Sequence, residues 1–353
     1  MSKVFENVKT IGLRLELEGD GIINADSSDQ KDVIIKLGLG SNIDYSCKNY
    51  QFAKKNFYKD EDGNPYFKYK ISSECLRHEV FKETMPDFNP LIKSIPQAFY
   101  PMLAMPDYII RGICIAEDKG NSVKSKSKLT LTDAEEVTTI GHNYVPMEIH
   151  TRSGYKKTGD TISVSDDEEK KKDTTVYNIE VLGHKNYESY GFINLSELQF
   201  IPDDPMFDRM SLAVEDGSTE SKIYLDALKR NMVKFEPTFG YYTKKGRYGG
   251  DEVAERGILL NQESVDMIVK RTLKGILDIQ IMRRNASLKI SKLYITVNTT
   301  DGVSNEIELT KENLNDFTFN YSQEYFEADE DRILANIKIM KDYEQVTGKK
   351  SKK

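Results

Sequence analysis

The sequence predicts an α+β fold: a ferredoxin-like core of antiparallel strands, two principal helices and long insertions. Three observations predict it. Residues 11–18 alternate apolar and charged side chains with the period of a half-buried strand, and residues 261–277 carry the broad apolar stripe of a packed helix. The chain also lacks the regular strand–helix alternation that a doubly wound sheet needs. With 353 residues it can bury one large core or two modest ones, and it is read as a single domain, 1–353.

The elements follow in order. Ile11, Leu13, Leu15 and Leu17 share one face, with Arg14, Glu16 and Glu18 opposite. Residues 19–62 are polar, end in the turn Asp60–Gly63, and are too long for a simple connection, so they form an insertion with its own structure. Phe67, Tyr69 and Ile71 alternate with Lys68 and Lys70 in a strand that runs straight into a helix over Ser72–Met85. Ser72 suits the N-cap, Glu74 suits the positive end of the helix dipole, and Pro86 stops the helix. Leu76 and Val80 face the core, while Arg77, His78 and Lys82 point elsewhere. A strand at Tyr108–Ala116 comes next.

Residues 117–175 are the second insertion, with a helical turn expected at Thr132–Val137. Its tract Lys156–Asp173 is nearly devoid of apolar residues and carries blocks of charge, which predicts a mobile loop or hairpin tip. Strands resume at Tyr177–Leu182 and Tyr187–Leu195. The helix Asn261–Leu277 has Asn261 as N-cap, with Leu260 and Val265 placed as a hydrophobic staple. Strands Ser287–Val297 and Ser304–Thr310 flank the turn Thr300–Gly302, and a last helix is expected over Asp329–Val346.

The formal net charge is −7, which excludes a surface that coats nucleic acid everywhere but leaves room for a basic groove. Charge is segregated: Lys270–Lys292 is strongly basic and Asp301–Asp331 strongly acidic. Either run also reads as the solvated face of an ordinary element. No apolar run approaches the roughly 20 residues of a membrane span. The first residues show no signal-peptide core, which leads to an expected cytoplasmic location and no membrane partner. Cys47, Cys75 and Cys114 have no metal spacing. His78, His142, His150 and His184 form no helical metal pair, so neither metal nor cofactor is expected. No phosphate-binding loop or nucleophile motif occurs, and the residues favour a binding protein over an enzyme.

Candidate binding residues follow from residue type. Lys68, Lys70, Arg77 and His78 form a strand-to-helix junction suited to a phosphate backbone. Lys124, Lys126 and Lys128 project to one side if extended, although the residues slightly favour plain solvated lysines on a loop. In Gly240–Gly250, Lys244, Lys245, Arg247 and Tyr248 combine cations, aromatic faces and glycines as single-stranded RNA requires; a flexible exposed loop is the alternative.

The phrase FKYKISSECLRHEVF resembles the basic strand and "I-S-S-x-x-L-R" helix start of backbone subunits in CRISPR Cascade-like complexes, the seventh Cas family within the RAMP superfamily. VYNIEVLGHKNYESYGFINLSELQF (Val176–Phe200) is similar to that family's later core strand. The resemblance implies an RRM-like palm with fingers at about 19–66 and a thumb or web at about 117–175. It implies a non-catalytic subunit that binds guide RNA (crRNA), polymerises with copies of itself into a helical filament, and presents the guide to a target strand beside other CRISPR effector subunits. Arg152, Lys156 and Lys157 would then lie near the start of the thumb, and His78 would contact RNA or a neighbour. Two departures stand out: net acidity, and no strongly Gly-rich C-terminal loop unless Gly246–Gly250 replaces it. Two alternatives remain at this stage. One is a metal-dependent endoribonuclease on the same fold using Asp26, Asp29, Asp32 or Asp44; the other is a RAMP-like RNA-binding protein outside CRISPR systems.

Overall fold

The computed structural model describes residues 3–23, 25–26, 29–39, 49–85, 95–116, 122–138, 141–152, 156–158, 161–163, 175–203, 214, 217–244, 254–283 and 285–328. Strands in chain order are β1 (Lys3–Asp20), β2 (Ala25–Asp26), β3 (Asn49–Ala53), β4 (Lys55–Lys59), β5 (Pro65–Ile71), β6 (Ile113–Ala116), β7 (Ser122–Ser125), β8 (Leu129–Leu131) and β9 (Ala134–Glu136). They continue with β10 (Met147–Arg152), β11 (Lys156–Thr158), β12 (Thr161–Ser163), β13 (Thr175–Glu180), β14 (Lys185–Asn194), β15 (Phe200–Pro202), β16 (Gly240–Lys244) and β17 (Ala254–Leu259). The last are β18 (Gln280–Arg283), β19 (Ala286–Thr299), β20 (Ile307–Leu309), β21 (Phe317–Tyr321) and β22 (Phe326–Ala328). The helices are α1 (Asp29–Lys36), α2 (Ser73–Phe81), α3 (Phe99–Leu103), α4 (Pro106–Arg111), α5 (Leu195–Leu198), α6 (Thr219–Asn231) and α7 (Gln262–Leu277).

The largest sheet is mostly antiparallel and follows the path β18-β19-β1-β14-β9-β5-β4, with β8 also on β14 and β20 on β19. β1 is its spine. Leu13 sits opposite Gly191 and Ile295, and Arg14 opposite Tyr190 and Tyr294. The alternation therefore sends Ile11, Leu13, Leu15 and Leu17 into the core and leaves Arg14 and Glu16 on an open face. β21 joins β1 in parallel, a departure from pure antiparallel pairing.

Helices α2 and α7 cover the buried face. Val265, Ile268, Val269, Leu273 and Ile276 of α7 are buried, as the apolar stripe predicts. Asn261 accepts from the Ser264 N–H at 3.1 Å, which confirms the N-cap. Gln262 pins the helix to β21, donating to the Tyr321 carbonyl (3.0 Å) and accepting from the Tyr321 N–H (2.8 Å). At Gly275 the helices approach so closely that a Cβ would stand 2.5 Å from the Val80 carbonyl oxygen.

Several expectations need correction. Helix α2 ends at Phe81 rather than Met85. Residues 108–116 are not one strand: Pro106 at the first helical position opens α4, and the chain becomes extended only after Gly112. Residues 132–137 do not make a helical turn, because Ala134–Glu136 is drawn between β14 and β5 as β9. The strand expected over Ser304–Thr310 is only Ile307–Leu309. Helix α6 was not anticipated, although Ser218 caps it and Tyr224, Ala227 and Leu228 form a legible apolar face. The helix expected over 329–346 lies outside the described residues. No helix among the described residues is long and apolar enough to cross a membrane.

A smaller sheet, β10-β13-β3-β2, lies at the far end of the main one. A polar joint ties them. Glu180 of β13 accepts from the Tyr69 hydroxyl (2.7 Å), the Ala53 N–H (2.9 Å) and the Lys55 ammonium (2.5 Å). The Lys55 ammonium lies 5.1–5.4 Å from the ring centroids of Phe52, Phe67 and Tyr69. Burial pulls the Lys55 amine below its ordinary range, and the Glu180 charge opposes that pull.

Candidate nucleic-acid interface

The strand-to-helix junction forms as its residues require. Ser72 accepts from the Cys75 N–H (3.4 Å) and starts α2. Leu76, Val80 and Phe81 are buried, which turns Arg77 and His78 away from the core centre. Beside them, α4 is anchored to α7 where both Asp107 carboxylate oxygens accept from Arg271 Nε at 3.0 Å.

The end of α4 is where the cations converge. Arg77 Nη2 donates to the Arg111 carbonyl at 3.1 Å. Arg77 Nε is buried without a hydrogen-bond partner among the described residues. The Arg111 guanidinium lies 6.0 Å from the Phe81 ring centroid, and its Nη1 donates to the Met85 sulfur at 3.2 Å. Burial first, and the Arg111 charge second, push Arg77 below its ordinary pKa; Glu74 offsets them in part. A phosphate bound to these guanidiniums would offset the burial and the like-charge repulsion with charge-assisted hydrogen bonds.

Gly112 closes the corner. Its φ of 74° terminates α4, and a Cβ there would stand 2.3 Å from the Ser125 carbonyl oxygen and 2.8 Å from the Lys126 carbonyl carbon. The β6–β7 hairpin is thus pressed against the helix end. Lys124 pairs with Cys114 in its ladder, and the side chain of Lys126 is exposed. Lys128 departs from the expected row: it is 8% exposed, and its ammonium donates to the Ser125 hydroxyl (3.1 Å) and the Lys126 carbonyl (2.9 Å). Three residues past the end of β7, Lys128 has left that ladder, so the three lysines do not share one side.

The structure therefore brings together Arg77, Lys126 and the backbone of Lys124, and adds Arg111, which sequence reasoning passed over. Its signal was a basic residue at the end of an apolar helical turn followed by glycine. Exposed His78 lies on the same helix as Arg77. Lys68 and Lys70 lie elsewhere, because Phe67, Tyr69 and Ile71 occupy the core side of β5 and send the lysines to the open face. Lys70 is also paired with Asp133 at 3.0 Å, whose other oxygen accepts from the Ser73 N–H. Burial would raise the Asp133 carboxyl, but those two partners hold it below its ordinary value.

Arg152, Lys156 and Lys157 have described backbone only, in β10 and β11, and so does Lys244 at the end of β16. Lys245, Arg247 and Tyr248 lie outside the described residues. Three cations of the basic run 270–292 are held in ion pairs: Lys270 with Asp266, Arg271 with Asp107, and Lys289 with Glu18. The described residues hold no group of three or more His, Cys, Asp or Glu placed for a metal. Asp26 sits in β2, Asp29 and Asp32 in α1, and Asp44 outside the described residues.

The family described as Cas7fv-like, type I-Fv CRISPR-associated protein, matches residues 9–329. The chain belongs to the Cas7fv-like family. The resemblance read from the junction and from Val176–Phe200 pointed to the same group. Among solved structures, the Cas7fv-like chain is similar to a chain of a CRISPR RNA-guided surveillance complex at 11% identity and a TM-score of 0.34, covering 96% of this chain and 85% of that one. A chain of a type IV-B CRISPR complex matches at 10% identity and a TM-score of 0.23, covering 69% and 88%. Both scores are too low to bear on fold or function. No curated protein matches the chain.

Proposed function

We propose that this Cas7fv-like chain is a guide-RNA-binding backbone subunit of a CRISPR surveillance complex. It polymerises along the guide and holds it for pairing with a target strand, without catalysing cleavage. The observation that carries the reading is the Arg77–Arg111 pair, two partly buried guanidiniums with no carboxylate within ion-pair distance among the described residues. Such a pair fits phosphate, whose contacts position a nucleic acid without reading its sequence.

The palm assignment has topological support. Strands β19, β1, β14 and β8, with α2 after β1 and α7 before β19, follow the 4-1-3-2 order of a ferredoxin-like sheet. On this reading the chain is one RRM-like domain, 1–353, with fingers at about 19–66 and a thumb at about 117–175. Lys68, Lys70, His78, Lys124, Lys126, Lys128, Arg152, Lys156, Lys157, Lys244, Lys245, Arg247 and Tyr248 stay candidates for RNA or neighbour contact, with Lys128 needing to leave its buried bonds first. Its partners are guide RNA, target strand, further copies and other CRISPR subunits in the cytoplasm.

The test is the nucleic acid that copurifies. Defined small RNAs, lost from a folded Arg77→Ala/Arg111→Ala variant, support the reading; heterogeneous nucleic acid retained by that variant contradicts it. Complementary RNA incubated with the assembled complex and magnesium or manganese stays intact if the subunit only binds. Regularly spaced products that vanish on substitution of Asp26, Asp29, Asp32 or Asp44 would make it a nuclease.

A further inference from the structure

The open face of the main sheet has a chemistry opposite to that of the Arg77–Arg111 corner. At its centre, Arg14 is held by three carboxylates: Glu16 (2.6 Å), Glu306 (2.7 Å) and Glu188 (3.3 Å). Its guanidinium also lies 4.1 Å from the Tyr294 ring centroid. Arg14 is thus shared among three anions; Lys292, 6.0 Å from the Tyr294 ring centroid, adds a second cation and Glu308, opposite Tyr294, a fourth carboxylate, so the centre of the face is net acidic. Hydrogen bonds from Arg14 hold Glu306 below its ordinary pKa, so that carboxylate stays charged. Beside this cluster, Tyr190 and Phe192 of β14 are 50% and 41% exposed, and the Tyr190 hydroxyl donates to Glu188 at 2.9 Å.

Aromatic side chains on an open sheet are the stacking platform of many RNA-binding folds, but there the surrounding charge is positive. Here the rings stand among carboxylates that repel phosphate. Rings next to anions suit a different occupant: a lysine or arginine whose aliphatic stem lies on Phe192, whose charge faces the ring of Tyr190, and whose donors reach Glu16 and Glu188. We infer that the middle of the open face, on β1 and β14 around Arg14, Glu188, Tyr190 and Phe192 and apart from Lys68 and Lys70 of β5, docks an extended lysine- or arginine-rich protein segment rather than nucleic acid. Charge complementarity carries the choice of occupant. The inference is independent of RNA binding at Arg77 and Arg111, which lie on the helix-covered side of the sheet.

The test uses the full chain and three labelled probes: a lysine-rich peptide carrying two aromatic residues, the same peptide with glutamate for lysine, and a single-stranded RNA. Two variants alter the face, Glu188→Gln/Glu306→Gln and Tyr190→Ser/Phe192→Ser. A third, Glu220→Gln/Asp226→Gln on exposed α6, removes as much charge elsewhere. The lysine peptide should bind and the glutamate peptide should not. Each face variant should weaken the lysine peptide about tenfold, with the α6 variant and RNA affinity staying within about twofold. An equal loss in the α6 variant, or none in either face variant, overturns the inference. So does a loss of RNA affinity in the Tyr190→Ser/Phe192→Ser variant, which would make the face a stacking platform for bases.

Discussion

The Lys55 ammonium and the Glu180 carboxylate meet at 2.5 Å, and neither side chain is exposed to solvent. One lies in β4 at the edge of the main sheet and the other in β13 of the smaller sheet, so the pair is the polar seam between them. Two desolvated charges are costly, and that cost is recovered only with close geometry and further hydrogen bonds. Glu180 meets the condition through the Tyr69 hydroxyl and the Ala53 N–H.

Removing one partner should therefore hurt more than removing both charges. Lys55→Met leaves Glu180 buried and uncompensated and should lower unfolding stability by about 3–5 kcal/mol. Lys55→Met/Glu180→Gln keeps an acceptor for Tyr69 and Ala53 and should recover about half of that loss or more. Urea denaturation of both variants measures this, and additive losses would contradict it.

A second buried carboxylate sets an acid limit. Glu136 of β9 is 3% exposed at its side chain and meets His142 at 2.8 Å and Lys185 at 3.0 Å, with the Tyr69 N–H at 3.4 Å and Tyr187 nearby. Burial would raise its pKa, but hydrogen bonds from His142 and Lys185 prevail and lower it from 4.5. A depressed carboxylate contributes stability above its unfolded pKa and loses it as pH falls through the folded value. Stability should decline as pH drops below 4.5, and Glu136→Gln should flatten that decline while costing stability at neutral pH. Urea midpoints across the acid range check both.

The central strands, α2 and α7 were legible because period-two and helical stripes dictate which face is buried. The main-sheet insertions were not. Ala134–Glu136 carries acids that suit a helix start, and only pairing with Tyr187 and Lys70 across two strands makes it a strand. Arg77 was legible from its motif, but Arg111 is 34 positions away and becomes its neighbour only through tertiary packing. Lys68 and Lys70 read as companions of Arg77 in sequence; the pleat of β5 puts them on the other face.

Gly112 is the hinge on which the basic corner depends. Gly112→Ala places a Cβ against the Ser125 carbonyl at a φ of 74°. The left-handed conformation alone costs about 1–2 kcal/mol. The variant should lose at least that much stability in urea denaturation, and its RNA affinity should fall because Lys124 and Lys126 move away from Arg111.

The most direct test of the central claim is the salt dependence of single-stranded RNA binding. Each phosphate contact contributes about 0.7 to the slope of log affinity against log salt concentration. Arg77→Gln/Arg111→Gln should weaken RNA binding and reduce that slope by about 1.4, with the circular dichroism of the folded chain retained. A folded double variant whose RNA affinity and salt slope equal those of the parent would contradict the account.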